Sequence, residues 1–184
     1  MSPERLKAMR ERFAITATQH LTQGIETRLV DATTLPRTDV PASYDLVLVD
    51  APCSGTGTLG RNPEIRHRLC PEDFAPQHQR QCALLRAALQ LGQKRVLYST
   101  CSLEPEENQH VVAQVISENP DWQQVSLRDQ IESLREQNRL TPLGAEYLHR
   151  SLLPDGALQL MPAVFDENHI VSTDGFYLAM LERL

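Results

Sequence analysis

Two short runs, Leu46-Val47-Leu48-Val49 and Arg95-Val96-Leu97-Tyr98, constrain this chain more than any other feature. Each is too short for a helix and rich enough in β-branched or aromatic residues to read as a buried parallel strand. Each also runs straight into a thiol. The first continues as Asp50-Ala51-Pro52-Cys53-Ser54-Gly55-Thr56-Gly57, the second as Ser99-Thr100-Cys101-Ser102. Ligands of open α/β sheets sit at the carboxyl ends of the strands. Two adjacent strands of this kind would bring Cys53, Cys101 and Asp50 into one crevice.

The remaining pattern alternates helices with strands. Ser2-Pro3-Glu4 is a helix start, with a capping Ser, Pro at the first helical position and an acid in the first turn. Glu26 to Val30 reads as a short strand ending at Asp31, followed by turn-rich residues to Ser43. Arg61 to Arg68 reads as a basic loop because of its proline and lack of periodicity. Pro71 to Leu91 places Phe74, Cys82, Leu85 and Leu89 on one helical face, and Gly92 ends that helix. A helix from Pro105 carries Val111, Val112, Val115 and Ile116 and stops before Pro120. Trp122–Leu127 reads as a strand and Asp129–Asn138 as a helix, while Thr141–Leu152 is helical or irregular. Ala157–Met161 and Gly175–Leu181 read as closing strands. This is an α/β pattern in a single domain spanning residues 1–184.

At 184 residues, 41% hydrophobic and 23% charged, the chain can bury an ordinary globular core. No apolar run reaches membrane-spanning length and no signal peptide is visible, so a cytoplasmic protein without membrane contact is expected. The four cysteines form no C-x-x-C pair, which points to free thiols rather than a zinc site or a disulfide framework. A net charge of −6 argues against nucleic-acid binding by bulk charge alone. Any nucleic-acid contact needs a local patch or another domain.

A cysteine attacks as thiolate, best where it is exposed near positive partial charge. Cys101 follows a strand and precedes a helix start, whose amide N–H groups favour the thiolate, while Glu104, Glu106 and Glu107 oppose it. The sequence leaves the net shift open. Cys82 lies on an apolar helix face and reads as an inert core thiol, and Cys70, before Pro71, as structural. Gly55-Thr56-Gly57 lacks the lysine of a phosphate loop and the third glycine of a dinucleotide fingerprint, so it reads as a flexible active-site loop.

Asp50-Ala51-Pro52-Cys53-Ser54-Gly55-Thr56-Gly57 and Tyr98-Ser99-Thr100-Cys101-Ser102, the latter followed by Glu104-Pro105-Glu106-Glu107-Asn108, resemble two signature motifs of the Sun (Fmu-like, RsmB-type) family of RNA cytosine-5 methyltransferases. Arg61-Asn62-Pro63-Glu64-Ile65 resembles that family's R-x-P-E/D-I segment, and Thr173-Asp174-Gly175-Phe176-Tyr177 its closing strand. The four occur in order and at workable spacing. The resemblance implies a Rossmann-like sheet with helices on both faces, binding S-adenosylmethionine (SAM), and an RNA substrate, ribosomal RNA foremost. It makes Cys101 the nucleophile at C6 of a flipped-out cytosine. Asp50 would hold the N3/N4 edge of the base, and Cys53 would assist loss of the C5 proton and release. Asp31, Asp50 and Pro52 would contact the cofactor, Asp31 at its adenine. Arg61, Arg66 and Arg68 would contact RNA phosphates.

The family's glycine-rich cofactor loop and first strands would precede the helix that opens at Ser2. The chain therefore resembles the C-terminal part of such a catalytic domain, and either self-association through an incomplete sheet or loose packing around Leu29 to Asp31 and the Asp50 strand is expected. A non-catalytic RNA-binding or assembly module on the same fold is the alternative. A cysteine hydrolase or thiol-redox protein is disfavoured, because no histidine sits in a partner motif and no C-x-x-C exists.

Overall fold

The computed structural model describes residues 3–13, 25, 27, 29–34, 44–164 and 172–184. Ser2, Glu26, Arg28 and most of the expected turn-rich stretch, residues 35–43, lie outside the described residues. The chain divides into two units, Met1–Leu35 and Pro36–Leu184, each considered by itself.

In the first unit, helix α1 covers Pro3–Phe13, as the proline and first-turn acid predict. Arg10 donates from Nε to Thr27 Oγ1 (2.7 Å) and from Nη2 to the Thr27 carbonyl (2.9 Å). The expected strand before Asp31 is not found at the described positions 27 and 29–31. Leu29 and Val30 are exposed, so the burial that makes apolar side chains favour a strand is missing. Asp31 instead shapes a turn, accepting from the N–H (3.0 Å) and Oγ1 (2.7 Å) of Thr33.

The second unit is built on a mixed sheet. Its strands are β1 (Tyr44–Asp50), β2 (Gly92–Thr100), β3 (Trp122–Val125), β4 (Leu158–Leu160) and β7 (Phe176–Arg183). The order is β1-β2-β7-β3, with β4 also on β7. β1 and β2 are parallel, with Val47 opposite Val96 and Asp50 opposite Ser99. β7 runs antiparallel to β2, β3 and β4. A separate ribbon pairs β5 (Ala163–Val164) with β6 (Ser172–Thr173).

Period-2 alternation sorts the side chains of this sheet onto two faces. Val96, Tyr98, Ala179 and Leu181 pack with Cys82, Leu85 and Leu89 of helix α3 (Phe74–Leu91) and with Val111, Val112 and Val115 of helix α4 (Gln109–Ser117). Their neighbours Leu97, Leu178 and Met180 pack on the opposite face with Ile131 of α5 (Arg128–Glu136) and Leu148 of α6 (Pro142–Arg150). The stretch from Thr141 is therefore helical: Thr141 caps it by accepting from the Gly144 N–H, and Pro142 occupies its first turn. The basic segment expected as a loop contains one helical turn, α2 (Ile65–Arg68). Ile65 is buried, and its N–H donates to the Asn62 carbonyl, which anchors that turn.

β1 departs from the buried strand its apolar run predicts. Val47 and Val49 pack against the α3 face, but Leu46 and Leu48 remain 55% and 63% exposed. Among the described residues β1 pairs only with β2, at the edge of the described sheet. No described helix is long and apolar enough to cross a membrane.

This layering predicts an asymmetric mutational response. Leu85 is fully buried between α3 and the sheet, so Leu85→Ala should lower unfolding stability by about 2–5 kcal/mol, from lost burial plus a cavity. Leu48→Ser, at an exposed position, should change it by no more than about 0.5 kcal/mol. Urea titration followed by circular dichroism measures both.

Candidate active site

The level register of β1 and β2 delivers both cysteine segments to one end of the sheet. The ladder continues one step past β1, where the Ala51 N–H donates to the Ser99 carbonyl (2.9 Å). Beyond that point the two segments face each other, and Cys53 Sγ lies 3.3 Å from Cys101 Sγ. Both thiols are free and half-buried. Asp50, exposed at the end of β1, accepts a hydrogen bond from Ser99 Oγ (3.1 Å), which leaves the rest of its carboxylate open.

The segment after Cys53 is not the flexible loop that its glycines suggest. Gly55 to Thr58 are buried, and Gly55 adopts φ 77°, the left-handed conformation that glycine tolerates. The Gly57 N–H donates to the Cys101 carbonyl (2.9 Å), and the Gly57 carbonyl accepts from the Gly175 N–H (2.7 Å). A Cβ on Gly57 would come within 2.4 Å of the Gly175 carbonyl oxygen, so only glycine permits this approach. Three segments distant in sequence are thereby stitched together: the Cys53 loop, the Cys101 loop and the start of β7. Arg61 and Asp174 form an ion pair beside this junction.

The two thiols are chemically unequal. The Cys101 thiol is lowered from 9.0 to about 7, first because Cys53 donates a hydrogen bond to its thiolate and next because of backbone N–H donation. Burial and the negative charges of Asp50 and Glu107 oppose this. Cys53 is pushed strongly upward, by that same hydrogen bond to Cys101, by burial and by repulsion from the Cys101 charge. The hydrogen bond between the sulfurs thus favours the thiolate at Cys101 and the protonated thiol at Cys53. Cys82, by contrast, is buried in the core cluster and raised by burial, an inert thiol as its helix face predicts.

A cleft of about 470 Å³ opens beside Cys53 and Ser54, walled by Ile65 and Phe74 and flanked by Arg68 and Arg80. Of the expected phosphate contacts, Arg68 reaches this cleft. Arg61 is engaged by Asp174, and Arg66 donates from Nε to His67 Nε2 (3.2 Å) on an exposed turn. Arg80 was not among the residues the sequence singles out. It lies on α3, whose apolar stripe draws attention to the opposite face. Asp31 lies in the first unit, in the turn described above, and Pro52 is exposed with its carbonyl accepting from Gln81 Nε2 (3.0 Å).

A sheet with helices on both faces and reactive side chains at its strand ends is the architecture of a Rossmann-like methyltransferase, and the comparisons with known proteins agree. The family model described as 16S rRNA methyltransferase RsmB/F matches residues 2–182. The chain belongs to that family. It is 30% identical over 161 residues to the probable ribosomal RNA small subunit methyltransferase B of Bacillus subtilis, covering 86% of this chain and 32% of that protein. It is 32% identical over 149 residues to ribosomal RNA small subunit methyltransferase F of Escherichia coli O1:K1 / APEC, covering 78% and 26%. The chain thus spans about a quarter to a third of the length of these relatives. Among solved structures, PH0851 superposes with a TM-score of 0.64 at 27% identity, over 95% of this chain and 35% of that one. NSun6 from Pyrococcus horikoshii with SFG superposes at 0.65 and 19% identity, over 99% and 39%, a likeness of fold.

The hydrogen bond between the sulfurs sets a pH expectation. Alkylation of Cys101 by iodoacetamide should be half-maximal near pH 7, rising with pH as thiolate forms. Cys53→Ala removes the donor that favours thiolate, so the midpoint should move upward. Cys53→Ser keeps an O–H donor and should fall between the two. Peptide mapping separates Cys101 from the exposed Cys70.

Proposed function

We propose that this chain carries the thiol-bearing part of a site that methylates C5 of cytosine in small-subunit ribosomal RNA, with Cys101 as nucleophile. The observation that supports this most is the contact of the two sulfurs, 3.3 Å apart, at the ends of two paired parallel strands. C5 of cytosine is a poor nucleophile until a group adds at C6. The Cys101 thiolate bonds to C6, and the ring's electron pair moves to C5 as an enamine. The Asp50 carboxylate, open at the end of β1, accepts from the N3/N4 edge and favours the protonated ring. Once Cys101 is bonded to carbon it no longer carries the charge that held a proton on Cys53. Cys53 then releases that proton to solvent, takes the one leaving C5, and elimination returns the Cys101 thiolate. The base must leave its stack for this geometry to be reached.

SAM supplies the methyl group when bound. Among the described residues, the exposed Asp50 carboxylate and the exposed Pro52 segment border the sulfur pair, and their acceptor oxygens suit the amine and hydroxyl groups of that cofactor. Arg68 and Arg80 supply positive charge beside Cys53, a local patch of the kind that a chain of net charge −6 needs to partner the phosphates of an RNA strand.

Two outcomes test this reading. After incubation with SAM and a small-subunit rRNA transcript, Cys53→Ala should accumulate a covalent protein–RNA band on a denaturing gel, and Cys101→Ala should form none. The opposite pattern would exchange the two roles, and an absence of adduct in every variant, even with RNA containing 5-fluorocytosine, would overturn the proposal. Arg80→Ala should weaken RNA binding uniformly across sequences and reduce the slope of log K against log[salt] by about 1, the signature of one lost phosphate contact. Filter binding across a salt series reads this.

A further inference from the structure

Glu107 and Asn108, adjacent in sequence, are both fully buried, and among the described residues neither hydrogen-bonds to Cys53 Sγ or Cys101 Sγ. The two Glu107 carboxylate oxygens accept from Ser54, one from its N–H (2.8 Å) and the other from its Oγ. Gln81 Nε2, also buried, bridges Glu107 Oε1 (3.1 Å) and the Pro52 carbonyl (3.0 Å). Both chain neighbours of Cys53 are thereby held. Asn108 does the same on the other strand end: its Oδ1 accepts from Thr100 Oγ1 (2.6 Å), and its Nδ2 donates to the Ser102 carbonyl (2.9 Å) and to Gln159 Oε1 (3.2 Å). Both chain neighbours of Cys101 are held too. The dipeptide is itself fixed from β2, where Tyr98 OH donates to the Glu107 carbonyl (2.7 Å).

We infer that Glu107 and Asn108 are positioning residues which hold the two cysteine loops in contact, one residue to each thiol. The inference deepens the proposed two-thiol chemistry and rests on that reading only for its catalytic consequence. A buried carboxylate is costly to desolvate, and among the described residues no cation pairs with Glu107. Its compensation is donation from Ser54 and Gln81, so its lowest-energy arrangement is also the one that fixes Cys53. Because the two side chains leave one short backbone segment, a displacement of that segment moves both loops together and preserves the distance between the sulfurs. Reactive groups need this support, since small displacements of catalytic atoms are expensive in rate.

The test reads sulfur proximity without RNA, on the intact chain carrying Cys70→Ser to remove the exposed thiol. Diamide, an azo oxidant, takes up two protons and two electrons from the thiol pair, leaving a Cys53–Cys101 disulfide and a hydrazine. The initial rate is followed by non-reducing peptide mapping, with circular dichroism to verify folding. Glu107→Ala and Asn108→Ala should each slow disulfide formation at least tenfold. Removing the Glu107 charge alone would favour the Cys101 thiolate and speed the reaction, so slowing reports lost geometry. Glu107→Gln, whose carbonyl still accepts from the Ser54 N–H while its amide donates to Ser54 Oγ, should react at least as fast as the parent. Its Cys101 alkylation midpoint should move to lower pH. Parental rates in both alanine variants, or equal slowing by Gln and Ala at position 107, would overturn the inference. If the alanine variants do not fold, Ser54→Ala and Thr100→Val each remove one donor to the clamp, and parental rates in both would overturn it instead. Failure here leaves the covalent-adduct test untouched, and the reverse also holds.

Discussion

The site depends on the parallel pairing of β1 with β2, in which Asp50 stands opposite Ser99. Parallel strands in register end at the same level, so the chain must leave both within a few residues of each other in space. A one-residue slip would turn every side chain to the other face and separate the thiols. β7 completes the arrangement because it is antiparallel to β2, with Thr100 opposite Tyr177. Its first residues therefore lie beside the last residues of β2. Asp174 and Gly175 reach the thiol loops for that reason alone, although more than seventy residues separate them from Cys101 in sequence.

Much of this was legible from local pattern. The strand runs, the thiol at each strand end, the α3 apolar stripe and the Pro and Thr signals at helix starts all act over a few residues. The structure draws on the same short-range preferences. What the pattern missed depends on partners far along the chain. Leu46 and Leu48 read as buried because the run is apolar on both faces, yet burial is decided by what covers a strand and not by its composition. The Gly55 to Gly57 loop read as flexible from its glycines, while the close approach of Gly175 makes glycine a packing requirement there. Ile65 to Arg68 lacked periodicity because four residues span barely one helical period, too few for a pattern to repeat.

Glu107 was visible only as one acid among three near a helix start, grouped with Glu104 and Glu106 as an opposing charge. The three are separated by burial. Glu106 is exposed, whereas Glu107 is enclosed with donors on both oxygens. Its position in sequence could not reveal this, since the donors come from Ser54 and Gln81 on other elements. Arg80 was hidden for a related reason: a charged residue on the outer face of an amphipathic helix is ordinary until a cleft is found beneath it.

Two identical side chains in contact acquire different acidities through what surrounds them. A free thiol near neutral pH is mostly protonated, and two in contact cannot both ionise cheaply. One proton between two sulfurs is the favourable state, and environment decides which sulfur holds it. Cys101 receives backbone donation and the Cys53 proton, while Cys53 is raised by burial and by the charge it faces. The difference is maintained only while the sulfurs touch, because separation would remove the hydrogen bond that both lowers Cys101 and raises Cys53. The acidity of the pair is therefore a property of loop placement rather than of either cysteine. If Asn108 holds the Cys101 loop as inferred, its loss would change the protonation of both thiols through their spacing.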